Sequence, residues 1–163
     1  MWQKSAENRR RLEASDRQTL RDLQLSKLND LIKTVVPTNR LYADKLARCK
    51  LPLQSLDELS TLPFTTKEEL TASGSTPANL TWPLDRYVRF HQTSGTRGRP
   101  LPVYDTAEDW QWWTDSWQFV LDAAQITDRD RALLAFSIGP FIGFWSARDA
   151  LSARGTMVIP GAG

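Results

Sequence analysis

Two residue types that commonly hold metals and disulfides are nearly missing from this sequence. Its 163 residues include one cysteine, Cys49, and one histidine, His91. A lone cysteine excludes an internal disulfide framework, and one residue of each type supplies too few ligands for a Cys/His zinc site. We therefore assign no metal ligand from the sequence.

Long apolar runs are missing too. The longest apolar stretch, Leu133–Trp145, is interrupted by Ser137, Gly139 and Pro140, and it falls short of the ~20 residues that a membrane-spanning helix needs. The charged start of the chain contains no apolar segment of the kind found in signal peptides. These patterns predict a protein without a membrane span, and a cytoplasmic location is the default expectation.

The net charge is small, at +2, and gives no reason to expect a nucleic-acid partner. It hides an asymmetry, because residues 1–50 hold 12 Lys/Arg and 6 Asp/Glu whereas residues 51–163 hold 9 and 13. A basic start would suit an acidic surface of a protein, a membrane or RNA. Since its charges alternate with acids rather than forming a block, a solvated helix face is the favoured interpretation.

Helical periodicity dominates residues 1–50, which we predict to be an N-terminal helical segment. Its apolar residues recur at helical spacing: Leu20, Leu23, Leu28, Leu31, Ile32 and Val35. Pro37 is expected to end this helix, and a second short helix is predicted over Leu41–Arg48. Two capping boxes, Ser55–Glu58 and Thr66–Glu69, then predict short helices among prolines.

Patterns typical of strands begin near residue 86. Tyr87–Phe90 and Leu101–Tyr104 predict a strand and its return, and Thr106 with Asp109 predicts the start of a helix that runs to Gln125. That helix carries an apolar stripe of Trp110, Trp113, Trp117, Val120, Leu121 and Ala124. The stripe is expected to be buried core rather than an adenine-stacking surface.

A strand–helix–strand pattern follows. Arg131–Phe136 and Thr156–Ile159 are predicted strands, and Phe141–Ala153 is the predicted helix between them. This order indicates a βαβ unit with parallel strands. The predicted fold class is therefore α/β, with N-terminal helices followed by the start of a mixed or parallel sheet with crossover helices. So few strands leave an open edge, so residues 51–163 are expected to be an incomplete domain that associates with a complementary chain or with itself.

The segment Thr93–Pro100 has the composition of a phosphate-binding loop. Glycines let backbone amides approach an anion, hydroxyls donate to phosphate oxygens, and the arginine fork matches phosphate geometry. The segment is neither a Walker A loop nor a dinucleotide fingerprint, because the lysine and glycine spacings of those motifs are absent. Composition alone favours an ordinary hairpin loop.

A family resemblance changes that interpretation. The loop Thr93-Ser-Gly-Thr-Arg-Gly-Arg-Pro100 is similar to the Thr-Ser-Gly-Thr-Thr-Gly-Lys/Arg-Pro loop of adenylate-forming enzymes. Three further segments occur in the order found in the phenylacetate–coenzyme A ligase family: Leu62-Pro-Phe-Thr-Thr-Lys-Glu-Glu-Leu70, Tyr87-Val-Arg-Phe90 and Met157-Val-Ile-Pro160. From about residue 38 onward, the sequence resembles the N-terminal part of that family, which is in the AMP-dependent synthetase/ligase superfamily.

The resemblance implies a ligase that uses ATP with Mg²⁺ to convert a small carboxylic acid to an acyl-adenylate, and coenzyme A to form the thioester. It implies that seven loop residues wrap the ATP phosphates: Thr93, Ser94, Gly95, Thr96, Arg97, Gly98 and Arg99. Arg97 stands where the family commonly has threonine. The replacement loses one hydroxyl and adds a positive charge near the same phosphates. The family's magnesium-binding, ribose-binding and catalytic residues lie beyond the matched segment, so no catalytic residue is assigned.

An acid-binding segment is implied in the same way. The stretch Ile138-Gly-Pro-Phe-Ile-Gly-Phe144 is similar to the family's Tyr-Gly-x-Phe-x-Gly-Gly stretch near the bound acid, and the candidate contacts are Ile138, Gly139, Phe141 and Gly143. An isoleucine in place of the tyrosine, and Phe144 in place of a glycine, argue against phenylacetate as the acid. The alternative is that these residues only pack the start of a helix.

Three functions stay open at this point. The chain is a fragment of an acid–CoA ligase that is inactive alone, a non-catalytic module that binds a nucleotide or a partner, or one half of a split ligase. His91 precedes the loop, and because the sequence identifies no carboxylate partner for it, a structural role is expected.

Overall fold

The computed structural model describes residues 5–71, 78, 80–95, 98, 100–136, 139 and 141–161. Thr96, Arg97, Arg99 and Ile138, all named above as site residues, lie outside this range. The chain divides into two compact units, one of residues 11–83 and one of residues 1–10 with 84–163. The domain boundary predicted near residue 50 stays a prediction.

The unit of residues 11–83 is helical. After α1 (Ala6–Glu13) come α2 (Arg17–Thr38), α3 (Arg40–Leu46), a 3₁₀ helix (Leu56–Thr61) and α4 (Lys67–Thr71). Its core is formed by Ile32, Leu46 and Leu53, one from each of three successive stretches of chain. Helix α2 ends at Thr38, one residue after Pro37, close to the predicted end; Pro37 lies within its last turn, and the Asn39 N–H still donates to the Val35 carbonyl at 2.8 Å.

One of the two predicted capping boxes forms. The Thr66 N–H donates to the Glu69 carboxylate at 2.7 Å, and the Glu69 N–H donates to the Thr66 hydroxyl at 3.4 Å. The box predicted at Ser55 is wrong, because Ser55 makes no side-chain cap and a 3₁₀ helix follows it. The Glu58 carboxylate instead accepts the Gln54 N–H at 2.8 Å, one residue before the predicted cap.

The unit that contains residues 84–163 is α/β, as predicted. After a 3₁₀ turn (Leu84–Arg86), β1 (Tyr87–Gln92) pairs antiparallel with β2 (Pro102–Thr106), and α5 (Ala107–Ala123) follows directly. Strand β3 (Arg131–Leu134) pairs parallel with β4 (Met157–Pro160) through the crossover helix α6 (Ile142–Arg154). The predicted βαβ unit is therefore confirmed. The described residues hold two separate two-stranded sheets, one antiparallel and one parallel.

Helix α5 begins as the sequence predicts. The Thr106 hydroxyl accepts the Asp109 N–H at 3.2 Å, and the Asp109 carboxylate accepts the Thr106 N–H at 2.9 Å. Trp110 and Leu121 of its stripe are buried, but Val120 and Ala124 are exposed, so the predicted stripe is too wide. At about 100° per residue, Val120 lies some 80° from Trp110 around the helix, beyond the side that α6 covers.

The core of this unit lies between the helices and one face of the parallel sheet. Leu121, Leu134, Ala150 and Leu151 form it. Because strand side chains alternate, the opposite face of the sheet carries a second apolar row: Leu133, Met157 and Ile159, which are 65%, 58% and 42% exposed. No described helix is long and apolar enough to span a membrane.

Candidate functional site

The predicted phosphate loop is closed by hydrogen bonds between its two ends. The Thr93 N–H donates to the Leu101 carbonyl at 3.1 Å, and the Leu101 N–H donates to the Thr93 hydroxyl at 2.9 Å. The Thr93 oxygen is thus an acceptor within the loop, while its own proton stays available to donate to a ligand. These two bonds extend the β1–β2 hairpin by one residue pair and fix where the loop begins.

Inside the loop, a tight turn requires glycine. Gly95 has φ +69°, and the Gly98 N–H donates to its carbonyl at 2.9 Å. A Cβ at Gly95 would lie 2.9 Å from the Gly98 carbonyl oxygen and 3.0 Å from the Pro100 ring, so a side chain cannot be added without a shift of backbone. The turn therefore packs the backbone of Gly95 against Gly98 and Pro100 more closely than any residue with a side chain would allow.

The described part of the loop fits an anion ligand in its chemistry. Thr93 and Ser94 are exposed hydroxyls that lie directly before the Gly95 turn, and Gly98 is exposed within it. Hydroxyl donors beside a glycine turn are the groups that a backbone-lined phosphate site uses. The assignment of these residues to ATP phosphates stays a prediction.

A buried carboxylate partner of His91 lies beneath the loop, and the sequence analysis missed it. His91 Nε2 is 2.9 Å from the Asp105 carboxylate, and the two residues are 7% and 6% exposed. The sequence alone identifies no carboxylate partner for His91, and the structural role expected of His91 stays a prediction. In the antiparallel register His91 pairs with Val103, so Asp105, two residues further on β2, lies on the same face. That register could have revealed the pair.

Burial shifts the pKa of the carboxyl group in this pair. It raises the pKa of Asp105, and the neighbouring His91 opposes the shift by favouring the charged carboxylate. Asp109, at the start of α5, raises it further by repulsion. The carboxyl beneath the loop is therefore harder to ionise than an ordinary aspartate.

A second contact fastens the hairpin to both helices. Arg89 of β1 donates to the Asp149 carboxylate of α6 at 2.8 Å, and its guanidinium lies 5.1 Å from the ring centroid of Trp110 of α5. The Trp110 indole N–H donates to the same carboxylate at 2.9 Å. One carboxylate thus holds β1, α5 and α6 together.

The predicted acid-binding segment lies at the start of α6. The Gly139 carbonyl accepts the Trp145 indole N–H at 2.7 Å, Phe141 is the residue that precedes the helix, and Gly143 lies in its first turn. A Cβ at Gly143 would meet open space, so the fold does not require glycine there. These positions adjoin Trp145, a residue the sequence analysis did not name for this site.

A further charged cluster joins α1, α5 and α6. Asp122 of α5 binds Arg9 of α1 at 2.5 and 3.0 Å and Arg154 of α6 at 2.5 Å. The Arg9 bonds hold the pKa of Asp122 below its usual range, with Arg154 adding to the effect against the cost of burial. Arg154 also donates to Gln118 and to the Ile126 carbonyl, so its donors are used within the protein. We call these residues, Arg9, Asp122 and Arg154, the arginine brace.

Comparison with solved structures identifies the class of fold. An open conformation of 2-hydroxyisobutyryl-CoA ligase in complex with 2-HIB-AMP and CoA matches 98% of this chain and 39% of that chain, with a TM-score of 0.83 at 20% identity. The same ligase in its thioesterification state matches 98% and 36%, with a TM-score of 0.84 at 22% identity. The chain therefore has part of the fold of an adenylate-forming acyl-CoA ligase.

Sequence relatives narrow the resemblance to one family. Phenylacetate-coenzyme A ligase of Pseudomonas putida is 29% identical over 156 residues, and that of Thermus thermophilus is 30% identical over 156 residues. Each alignment covers 93% of this chain and 35% of the relative. The resemblance to phenylacetate–coenzyme A ligases is confirmed, and the chain spans about a third of the length of these relatives.

No protein-family model matches the chain. Within the described residues, no group of three or more His, Cys, Asp or Glu side chains is placed to hold a metal ion.

Proposed function

We propose that this chain supplies the ATP-phosphate loop and part of the acid pocket of a carboxylic acid–CoA ligase. The observation that carries the proposal is the Gly95 turn between paired strands, in a chain whose sequence follows phenylacetate–coenzyme A ligases over 93% of its length. The reaction is acyl-adenylate formation from an acid and ATP, followed by transfer of the acyl group to coenzyme A. The two solved neighbours are complexes with 2-HIB-AMP and CoA. Their shared fold supports the proposal that the complete ligase uses an acyl-adenylate and CoA.

In this proposal, the loop from Thr93 to Arg99 orients and neutralises the triphosphate. The Thr93 and Ser94 hydroxyls and the turn backbone donate to phosphate oxygens, and Arg97 and Arg99 supply positive charge. Such donors stabilise charge that develops as pyrophosphate leaves. Thr96 belongs to the same loop by its position. The Mg²⁺ that accompanies ATP has no ligand assigned among the described residues.

The chain alone is proposed to be inactive. Adenylation needs the acid carboxylate aligned with the α-phosphate, and the relatives use about two thirds of their length beyond the aligned part. A non-catalytic nucleotide- or partner-binding module is the alternative with the same loop. It differs in one testable respect, because no complementary polypeptide would restore catalysis.

The exposed sheet face favours a split or continued ligase over that module. Leu133, Met157 and Ile159 form an apolar row on β3 and β4, and such a row marks a surface that another layer covers. We propose that the covering layer is the part of the ligase fold that the aligned relatives carry outside this segment. Self-association through this row is the competing outcome.

The experiment is acid-dependent exchange of pyrophosphate into ATP. The chain is tested alone and co-expressed with the unaligned remainder of the Pseudomonas putida relative, using a panel of aryl and fatty acids. We expect no exchange above background for the chain alone and measurable exchange for the combination. Exchange by the chain alone would contradict the proposed inactivity.

A matched pair of variants makes this test specific. Arg97→Ala with Arg99→Ala should abolish exchange by the combination, whereas Arg48→Ala with Arg129→Ala removes the same charge from exposed positions elsewhere in the chain and should not. If the combination copurifies but neither pair of variants matters, the loop assignment is wrong. If the two parts never associate, the non-catalytic module becomes the better proposal.

A further inference from the structure

The buried pair of His91 and Asp105 has no part in the contacts proposed between the loop and phosphate. His91 Nε2 is 2.9 Å from the Asp105 carboxylate, and the two side chains are 10% and 9% exposed. With Asp105 ionised, the carboxylate only accepts hydrogen bonds, so the ring proton lies on Nε2. Histidine is the side chain whose charge ordinarily changes between about pH 5 and 8, and Nδ1 is then the atom that gains or loses the proton.

Space beside the ring gives that proton a route. His91 is one of the residues that line a cavity of about 170 Å³ between the hairpin and the two helices packed on it. At ~30 Å³ per molecule, such a cavity has room for several waters. A proton can therefore reach the imidazole from solvent, although the side chain is nine-tenths buried.

Carboxylates outnumber cations around the pair. On the hairpin itself, the ring is bound to Asp105 of β2 and shares the cavity wall with Arg89 of β1. Helix α5 adds Asp109, whose repulsion acts on Asp105. Helix α6 adds Asp149, which binds Arg89 at 2.8 Å and Arg148 at 3.0 Å. Three carboxylates against two guanidinium groups leave one negative charge, which a proton on the imidazole offsets.

The pair also lies close to the loop. Thr93 comes two residues after His91, and its N–H continues the hairpin pairing by donating to the Leu101 carbonyl at 3.1 Å. Two residues of strand span about 7 Å, so a phosphate on the Thr93 hydroxyl lies within about 10 Å of the imidazole. Charges act across such a distance with less screening when one of them is buried.

We propose that triphosphate binding at the loop is coupled to uptake of a proton by His91, whose imidazolium is a counter-charge beneath the phosphates. The inference rests on the proposed function, because it takes residues 93–99 as the phosphate site. The proton comes from solvent and is held at Nδ1, while the Nε2–H continues to donate to Asp105. By reciprocity, the chain with a protonated imidazole binds triphosphate more tightly than the chain with a neutral one, by the same factor.

The expected coupling is about fourfold. This is the factor that Coulomb's law gives for two unit charges about 10 Å apart at an effective dielectric constant of about 40. A fourfold coupling moves the midpoint of the His91 titration upward by about 0.6 pH unit. It also corresponds to uptake of at most about 0.3 proton for each triphosphate bound.

The test is an NMR titration of the natural full chain, which has one histidine, so the imidazole signals need no variant for their assignment. The chain is titrated from about pH 5 to 9 with saturating triphosphate, and without it at an ionic strength matched with NaCl. The midpoint should be about 0.6 unit higher with triphosphate than with NaCl. Arg97→Ala with Arg99→Ala, which removes the proposed phosphate contacts, should keep the ligand-free midpoint in both solutions.

Calorimetry in two buffers of different ionisation enthalpy counts the protons independently. Because triphosphate itself titrates in this range, the quantity compared is the proton number of the natural chain minus that of His91→Gln. Glutamine keeps a hydrogen-bonding side chain beside Asp105 and does not titrate. The difference should reach about 0.3 proton near the midpoint and vanish by about pH 9, and the natural chain should bind triphosphate up to about fourfold more tightly than His91→Gln in mild acid.

The outcomes distinguish this inference from the proposed function. Triphosphate that binds without moving the His91 midpoint overturns the inference and leaves the phosphate-loop assignment standing. A midpoint that moves equally with NaCl, or equally in the Arg97→Ala, Arg99→Ala chain, also overturns it, because the loop is then not the source of the effect. If the natural chain binds no triphosphate, both the proposed function and this inference are contradicted. A His91→Gln chain that fails to fold leaves the NMR titration of the natural chain to decide.

Discussion

Two aspartates, at opposite ends of α5, have opposite electrostatic situations. Asp122, in the arginine brace, accepts bonds from two guanidinium groups, and its pKa is lowered. Asp105, beneath the loop, has one histidine as its basic partner, and burial raises its pKa. The surroundings of Asp122 thus favour the ionised carboxylate, whereas those of Asp105 disfavour it.

This difference distinguishes a cluster that stabilises the fold from a pair that lies close to the candidate functional site. A carboxylate bound by two arginines stabilises the packing of α5 and α6 with the start of the chain. Groups whose burial is only partly compensated cost free energy, and such groups concentrate where function requires them. In the partly compensated pair, His91 lies two residues before the predicted phosphate loop, whereas the arginine brace lies at the far end of α5.

The largest effect is expected at the brace. Asp122→Asn removes the negative charge that Arg9, which is 5% exposed, binds, and should lower the free energy of unfolding by about 3 kcal/mol. Chemical denaturation at pH 7 measures this. Asp115→Asn, on the same helix with one bond from Gln111, is the matched control and should cost under about 0.5 kcal/mol. Equal losses for the two variants would contradict the assignment of the brace.

The pH dependence of the brace follows from the lowered pKa of Asp122. Because the folded pKa lies below the unfolded value of about 3.9, its stabilisation is complete above about pH 5 and is lost as the pH falls from there through the folded pKa. Relative to Asp122→Asn, the natural chain should therefore lose its advantage only in acid. An advantage that disappears between pH 5 and 7 would be inconsistent with this assignment.

A smaller effect is expected at the loop. Gly95→Ala forces an alanine to φ +69° and against the Gly98 carbonyl, and should cost about 1–2 kcal/mol. Gly143→Ala, in a helix with open space around it, should instead stabilise by up to ~1 kcal/mol. Thermal melts test whether Gly95→Ala lowers the melting temperature and Gly143→Ala raises it. If both alanines stabilise, the turn at Gly95 is not the conformation in solution.

The smallest effect is expected at Asp105. Asp105→Asn retains a hydrogen-bonding side chain and should change stability at pH 7 by about 1 kcal/mol or less. The informative quantity is how the difference in free energy of unfolding between the natural chain and Asp105→Asn changes with pH. A raised folded pKa means that the carboxyl favours folding below about pH 4 and costs free energy as the pH rises through the folded pKa. The natural chain should thus lose stability relative to Asp105→Asn as the pH rises from 4.

A second pair of measurements isolates the carboxyl from the imidazole. The same pH series is run with His91→Gln in both chains, so that only Asp105 titrates in the pair. The slope should keep its sign, and it should become steeper because His91 no longer favours the charged carboxylate. If the natural chain instead gained stability relative to Asp105→Asn as the pH rises, the folded pKa of Asp105 would be lowered, like that of Asp122.

The order and type of the elements in residues 84–163 could be read from sequence because local signals agreed there. Capping residues at Thr106 and Asp109 and the strand–helix–strand spacing from residue 131 each matched the structure. At Ser55 the same capping signal failed, because a 3₁₀ helix followed instead of an α-helix. The box at Thr66 forms even though α4 has only five residues, so what matters is that the turn after the motif is α-helical and not how long the helix is.

The site was harder to predict, since its contacts cross between elements. The Gly95 turn lies within eight residues and was anticipated from composition and resemblance. The His91–Asp105 pair depends on hairpin register, and the Arg89–Asp149 pair joins residues 60 positions apart. Periodicity carries no information about such distant pairs, so a sequence could suggest the loop and not what supports it.

Direct binding of inorganic triphosphate to the chain is the measurement that tests the central claim most directly. Calorimetry at low salt should show weak binding, equal for triphosphate and ATP within about twofold and reduced at high salt, because loop charge and backbone supply the attraction. Arg97→Ala with Arg99→Ala should remove it, and Arg48→Ala with Arg129→Ala should not. Absence of binding in the natural chain, or unchanged binding in the loop variant, would contradict the assignment of residues 93–99 as a phosphate loop.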